Sequence, residues 1–564
     1  MRWFYIAGVV RSPLKPAGYL ALALLLGACA TLPPGVSRAP TDDPAAGTLT
    51  LPGGREVPVR PDELEYTGEA RFVWPDGRVY DGAWVAGEPH GVGVETLPDG
   101  TRYQGSWEQG QRHGEGTLET PEGQRYVGDF VAGERQGQGT LSGPDGTYSG
   151  GWSNDMPHGE GTFESADGTF YQGGWRQGQR FGYGTYQSPD GSVYEGEWAY
   201  DQPHGFGHLE NPNGASYDGE WRGGERHGYG RAEGPPGLVY EGTWRKDERH
   251  GFGVERRPDG SRYEGDWQNG KRHGQGREER PDGSFHEGSW ELNQALGPGR
   301  RRAPTGIEIS GMWNDDSVST GLLTLPTGLE YAGPMFSDSN RKASERLIEW
   351  LTGAAGRGDP YAQLLLGTMY LDFDRPVPDL QTARRWLAEA ADAGIAEAQF
   401  RLALTYENVN PPRVVALLSQ AAQQGHGGAN ETLAEYYYGG ITVPRNLERA
   451  VRYYEEAIAG GSVPARNNLA WLLATAEPEG LRDGQRAVSL IRPIALYTGA
   501  WQYLDTLAAA WAAAGEFDQA VSVAEDAIAS ARQQLGGDGG TEVAAMESRL
   551  ARYREGLAYV EVSP

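Results

Sequence analysis

Between Tyr80 and Trp267 the chain keeps repeating one short pattern of apolar and polar positions, an aromatic, a polar residue, a glycine, a polar residue and an aromatic, as in Tyr103-Gln104-Gly105-Ser106-Trp107. A period of two places Tyr103, Gly105 and Trp107 on one face of a strand. The pattern restarts at Tyr80, Tyr103, Tyr148, Tyr171, Tyr194, Tyr217, Tyr240 and Tyr263, and Tyr126 leads a repeat in which Phe130 takes the Trp place. The step is 23 residues, shortened to 22 between Tyr126 and Tyr148. Degenerate repeats follow at His286 and Ile309, and Tyr331 opens one that is not completed. Regular spacing on this scale marks an array of small units. Each repeat predicts two extended runs parted by a polar loop, Glu108–Gly114 in the example, and closed by a turn such as Pro121-Glu122-Gly123. Gly recurs at that turn from Gly77 to Gly328, with Pro two places earlier except at Ala166. Pro presets φ and Gly accepts positive φ, so each repeat reads as a hairpin with a bulge. Stacked hairpins predict a single-layer antiparallel sheet whose aromatic face is its own core, the glycine between rings leaving room for a neighbouring ring.

A second pattern takes over after about Ser337. Its offsets are 0, +4, +5 and +8: Ala362, Leu366, Gly367, Tyr370; Ala398, Leu402, Ala403, Tyr406; Ala429, Leu433, Ala434, Tyr437; Ala465, Leu469, Ala470, Leu473; Tyr503, Leu507, Ala508, Trp511. These offsets share one helical face. A partner helix follows, as in Ala383, Trp386, Leu387, Ala390 and Ala391, with Gly394 as its stop. The starts step by 36, 31, 36 and 38 residues, which predicts a solenoid of helix pairs. Val543, Met546, Leu550, Tyr553 and Leu557 predict a last capping helix over 542–558.

The first 28 residues combine Arg2, Arg11 and Lys15 with the apolar run Leu20–Leu26, and read as a secretory signal. That run is too short to span a bilayer. The expected organisation is therefore a signal over 1–28, a Pro/Gly-rich tether over 29–61, the β-array over 62–335, the helical array over 336–535, and a linker with the capping helix over 536–564. A first hairpin is expected within the tether at Gly47–Gly54.

The β-array resembles the MORN repeat, Y-x-G-x-W-x-x-G-x-x-H-G-x-G, over about Tyr66–Gly333. The helical part resembles Sel-one-like repeats, relatives of tetratricopeptide repeats, over about 345–535. Leu26-Gly27-Ala28-Cys29 resembles the bacterial lipoprotein box. These likenesses imply an elongated array for protein or lipid contact and dimerisation, a protein-binding solenoid, and acylation of Cys29, the one cysteine in 564 residues. Ala30 after Cys29 favours the outer membrane, facing the periplasm, over the inner one.

Net charge of −27 argues against nucleic acid and against simple attraction to anionic lipid. Seven His-Gly pairs, from His90 to His273, invite a metal ladder, but rows roughly 9–10 Å apart do not let neighbours share an ion. A loop imidazole bonded to the next strand is the expected role. The Asp-Gly turns lack the dense carboxylates of a calcium loop, and Gly265–Lys271 imitates a phosphate loop without its Ser/Thr. No zincin helix, nucleophile elbow or catalytic cysteine is present. The expected function is a non-enzymatic, lipid-anchored envelope scaffold without cofactor or metal, binding envelope proteins, with homodimerisation through the β-array. The alternative is stacking of glycan or lipid headgroups on the Trp stripe. Tyr370, Tyr406, Tyr436, Tyr437 and Tyr438, near the first-helix ends, are the candidate partner-binding residues, and residues 345–535 are expected to choose the partner.

Overall fold

The computed structural model describes residues 32–234, 237–314, 317–335, 344–371, 379–407, 409–477, 479–535 and 540–561. Cys29 and the signal lie outside them. The described chain is an antiparallel β-hairpin array of 26 strands followed by 12 helices. It divides into two compact bodies, one running to Pro212 with Glu220–Glu225, the other comprising Asn213–Gly219 and Arg226 onward.

In the first body the repeat that starts at Tyr103 shows the design. Strands Arg102–Glu108 and Gln111–Glu119 pair with Tyr103 opposite Leu118 and Gly105 opposite Gly116, and a bulge lies between Gly105 and Trp107. The turn between them is only Gln109-Gly110, both at positive φ (52° and 73°). A two-residue turn of this kind follows the natural twist of paired strands. The stretch expected to be a loop is therefore mostly strand, and His113 sits in a strand. Consecutive hairpins join through the Pro-x-Gly turn, where Gly123 N–H donates to Thr120 and Thr120 N–H to Gln124 (3.0 and 2.9 Å). The Asp-Gly carboxylates serve these turns: Asp99 Oδ1 accepts from Thr101 N–H at 2.8 Å, and that bond holds its carboxyl below the usual range.

Part of the expected tether is folded. Gly47–Leu51 and Arg55–Val59 form a hairpin that pairs onward with Gly68–Val73. Leu49, Val57 and Val59 are buried, and that burial offsets the ordering entropy a free tether would keep.

In the second body the hairpins continue through the degenerate repeats to Glu330–Pro334. The helices are α1 (Glu345–Gly356), α2 (Pro360–Leu371), α3 (Leu380–Asp392), α4 (Ala396–Leu404), α5 (Pro411–Gln423), α6 (Gly427–Gly439), α7 (Leu447–Ala459), α8 (Val463–Thr475), α9 (Gly484–Thr498), α10 (Trp501–Ala513), α11 (Phe517–Leu535) and α12 (Gly540–Arg554). The small residues of the +5 position are buried at every step: Gly367, Ala403, Ala434, Ala470 and Ala508. Side chains also tie successive helices. Gln363 and Gln399 each donate to a carbonyl eight residues earlier, Ala355 and Ala391, both at 3.2 Å. Asn430 holds the same repeat position one methylene short, and its buried Nδ2 finds no partner. Helix α12 stops at Arg554, before the expected 558. Gly556 turns left-handed (φ 71°) and Leu557 is left exposed, not buried on a helical face.

Sheet and solenoid share a core in this body. Trp313, Val318, Leu323 and Leu325 pack in one cluster with Leu347, Leu351 and Leu364. Asp359, just before α2, accepts from Thr327 Oγ1 (2.5 Å), and Arg466 Nη1 of α8 donates to the Pro258 carbonyl (3.2 Å). Gly461 lies so close to Pro281 that an added Cβ would stand 2.7 Å from it. Turns of the β-array thus meet the turns of the solenoid.

Candidate interaction surfaces

The Trp stripe was the strongest candidate for a ligand-stacking face, and its geometry is that of a core. Tyr103 meets Trp107 edge-to-face at 5.2 Å (86°) and Phe130 of the next repeat at 5.1 Å (84°). The order continues in both bodies, for example Tyr171–Trp175–Tyr148 in the first and Tyr263–Trp267–Tyr240 in the second. Each Tyr hydroxyl reaches over the glycine pair of its own hairpin to the backbone of the bulge: Tyr103 to Ser106 O (2.9 Å), Tyr171 to Gly174 O (2.9 Å), Tyr263 to Asp266 O (3.1 Å). The ring that needs the glycine is therefore the repeat's own tyrosine, not a neighbour's. Indole N–H groups donate to glycine carbonyls, as Trp198 to Gly184 at 3.2 Å.

A second set of residues closes the stripe. Arg135, Arg180, Arg226, Arg249 and Arg272 lay their guanidinium groups over Trp152, Trp198, Trp244, Trp267 and Trp290, at 4.2–4.4 Å from the ring centroids. Such placement is favourable through the ring quadrupole. The signal was in the sequence: an Arg recurs at one repeat position, replaced by Pro89, Pro157 and Pro203 in three repeats. All ten indoles of the stripe are buried, with or without an arginine over them, so this face is packed as a core and not laid open as a stacking surface.

Burial pushes the Tyr103 phenol up from 10.0 to about 12, and Tyr80, Tyr126, Tyr148, Tyr171, Tyr194, Tyr240 and Tyr263 also move up, chiefly through burial. The folded array favours the neutral phenol. Its contribution to stability is intact below pH 10.0 and is lost as pH rises from there toward the folded value. In an alkaline titration, the late rise of tyrosinate absorbance should coincide with loss of the β signal in circular dichroism. Complete ionisation with the sheet intact would contradict burial of these phenols.

The opposite face carries an aromatic residue at the x of four consecutive Gly-x-Gly stretches, Tyr183, Phe206, Tyr229 and Phe252, where the other repeats have Val, Glu, Gln or Pro. In the first body Tyr183 and Phe206 stand 61% and 65% exposed. Tyr183 pairs across from Glu197 and donates to Glu195 at 3.0 Å. In the second body Tyr229 and Phe252 hold the same position, and Tyr229 donates to Glu241 at 2.8 Å. Period-2 reading of the second strand would have found them.

Most of the candidate tyrosines of the solenoid are engaged internally. Tyr370 packs beside the shared core. Tyr406 lies between Arg384 and Arg413, 4.5 and 4.6 Å from its centroid. Tyr436 is buried and donates to Glu407 at 3.1 Å. Tyr437 stacks on Tyr453 at 5.7 Å and 6°. Tyr438 donates to Glu561, far along the chain. The three consecutive rings thus serve three different partners. Among the described residues no cluster of His, Cys, Asp and Glu is arranged to hold a metal, and no helix is long and apolar enough to cross a membrane. His113 faces Glu108 at 3.3 Å within its own hairpin.

Comparison with known proteins agrees with this geometry. Residues 80–285 match the MORN repeat in nine successive copies. Residues 360–395, 396–426 and 432–462 match the Sel1 repeat. DAP3-binding cell death enhancer 1 of Mus musculus is 35% identical over 95 residues, 16% of this chain and 19% of that protein. Its Rattus norvegicus counterpart is 32% identical over 117 residues, 20% of this chain and 23% of that protein. The chain spans about a fifth of the length of these curated relatives. Among solved structures, a protective antigen of uropathogenic Escherichia coli with an SLR fold is 24% identical, covering 37% of this chain and 45% of that one (TM-score 0.30). A Sel1 repeat protein from Oxalobacter formigenes is 22% identical, covering 37% of this chain and 94% of that one (TM-score 0.29). No catalytic family is indicated by the repeat matches. The chain is built of MORN repeats followed by a solenoid of Sel1 repeats.

Proposed function

We propose that this protein is a non-enzymatic scaffold of the bacterial envelope, anchored by lipid at Cys29, that gathers envelope proteins on its two repeat arrays. The observation that carries the scaffold reading is the succession of MORN and Sel1 repeats over most of the chain. Such repeats present large repetitive surfaces and little enclosed space for chemistry. Anchoring rests on Leu26–Cys29, and the outer membrane on Ala30. Lipid chains contribute roughly 0.8 kcal/mol per buried CH₂, enough together for a firm anchor. The solenoid, whose residues vary from repeat to repeat, selects the partner; the β-array sets reach or pairs two copies, since near-identical loops discriminate weakly.

Two measurements on the full-length protein test this. Cys29→Ser should leave the protein unprocessed or release it from membranes, while a wild-type protein without lipid would end the anchoring argument. Crosslinking in cells followed by affinity purification should lose its partner set when Tyr406 and Tyr437 are replaced by Ala, and keep it when Tyr183 and Phe206 are replaced by Ser. The reverse pattern would assign selection to the β-array. Intact chains are needed because the shared core around Trp313 and Leu351 would be exposed by cutting the arrays apart.

A further inference from the structure

Past α12 the chain reverses at Gly556 and runs back across the first helices of two earlier repeats. Leu557 N–H closes the helix end on Arg552 O (2.9 Å), and Arg552 Nη2 holds the Ala558 carbonyl (3.1 Å). Tyr559 then packs on Trp471 of α8, ring centroids 6.0 Å apart, with Arg549 beside both rings. Two residues on, the Glu561 carboxylate receives two side-chain donors on one oxygen, the Tyr438 hydroxyl of α6 and Trp471 Nε1 (2.9 Å), while the Thr475 hydroxyl lies 3.5 Å away and gives its proton to the Trp471 carbonyl (2.8 Å). Glu561 N–H donates to Thr475 O, a carbonyl of the last turn of α8, at 2.8 Å. Tyr438 is anchored from behind, its own carbonyl accepting from Arg445 Nε at 3.0 Å.

This is the grammar of peptide recognition: a ring in an aromatic contact, a backbone N–H on a free helix carbonyl, and a carboxylate at converging donors. The donors come from the first helices of separate repeats, and Trp471 N–H can only donate. These donors call for an oxygen acceptor, and Arg445 beside Tyr438 favours an anionic one, whereas Arg549 is already paired with Asp505 (2.7 Å). We propose that Tyr438, Trp471 and Thr475 form a recognition site for an acidic peptide segment with an aromatic residue two positions before a carboxylate. Residues 557–561 fill that site as an internal competitor, and a partner segment of the same chemistry displaces them. This deepens the scaffold reading, on which it rests, by naming the chemistry of the partner.

A tethered competitor acts at an effective concentration on the order of millimolar. The apparent affinity for an outside peptide falls in proportion to the fraction of sites left open. The test uses the full-length chain and a labelled, end-capped peptide of residues 556–561, Gly-Leu-Ala-Tyr-Val-Glu, read by fluorescence polarisation. The double variant Tyr559→Ala with Glu561→Ala should bind the peptide at least about tenfold more tightly than wild type. Adding Tyr438→Phe should remove the gain, and so should Ala for Glu in the peptide. Should the double variant lose helical signal, Glu561→Ala alone serves, with a smaller gain expected. Equal binding to wild type and opened variant, or binding to neither, would overturn the proposal. An opened variant that keeps the wild-type crosslinked partners without binding the peptide would refute this site and leave the scaffold reading standing.

Discussion

Replacing Trp198 by Ala should destabilise its part of the β-array by about 3–5 kcal/mol, in the range of large-to-small core changes. Trp198 is 4% exposed, edge-to-face with Tyr194 at 5.1 Å and Tyr171 at 5.4 Å, and covered by Arg180 at 4.2 Å. A single-layer sheet has no second layer that can collapse into the gap. The indole bond to Gly184 O is lost as well. Arg180 keeps its bonds to Asp201, so the guanidinium stays over an emptied site. Because each repeat contacts only its neighbours, the loss should be local. Hydrogen exchange should speed up in Phe170–Arg176, Gln179–Gln187, Val193–Ala199 and Gln202–Glu210, while the helical signal is unchanged. A variant that melts like wild type but no longer binds isolated cell wall would restore the glycan reading of the stripe.

The second large effect is expected from adding a single methyl. A Cβ at Gly184 would lie 2.5 Å from the Tyr171 Oη and 2.7 Å from its Cζ. The ring has nowhere to go. Its hydroxyl is held by Gly174 O at 2.9 Å, and it stands between Trp175 and Trp198 at 5.2 and 5.4 Å. Gly184→Ala should cost about 3 kcal/mol, the upper part of the usual range for overpacking. Tyr183→Ser, on the exposed face one residue away, should stay within about 0.5 kcal/mol. Chemical denaturation of the three proteins, followed by tryptophan fluorescence, gives the comparison. Equal midpoints for Gly184→Ala and wild type would mean that the glycine pair is not closed over by the tyrosine.

What the sequence determined by itself is whatever is local and repeated. The recurrence of Tyr-x-Gly-x-Trp named the hairpin, because alternation and turn chemistry act over a few residues and every repeat restates the same answer. The +4, +5, +8 pattern named the helix pairs for the same reason, down to the small residue that lets Leu387 pack against Gly367. The stop glycine Gly394 sits at positive φ as expected (89°).

Tertiary structure alone decided what depends on residues distant in sequence. The loop around His113 became strand because Gln109-Gly110 closes a tighter turn than a polar run suggests, and cross-strand pairing takes up the rest. The arginines over the indoles were visible as a recurring residue type, but their role appears only when the bulge brings that position over the ring. Tyr370, Tyr406 and Tyr437 share the +8 position and Tyr436 and Tyr438 flank the last of them, yet Tyr436, Tyr437 and Tyr438 diverge to Glu407, Tyr453 and Glu561, since consecutive residues on a helix point about 100° apart. The docking of Arg466 on Pro258 and of Glu561 on Trp471 joins residues 208 and 90 apart in the chain. No periodicity encodes such contacts: they exist only where two separately specified surfaces happen to meet, and burial rewards the fit.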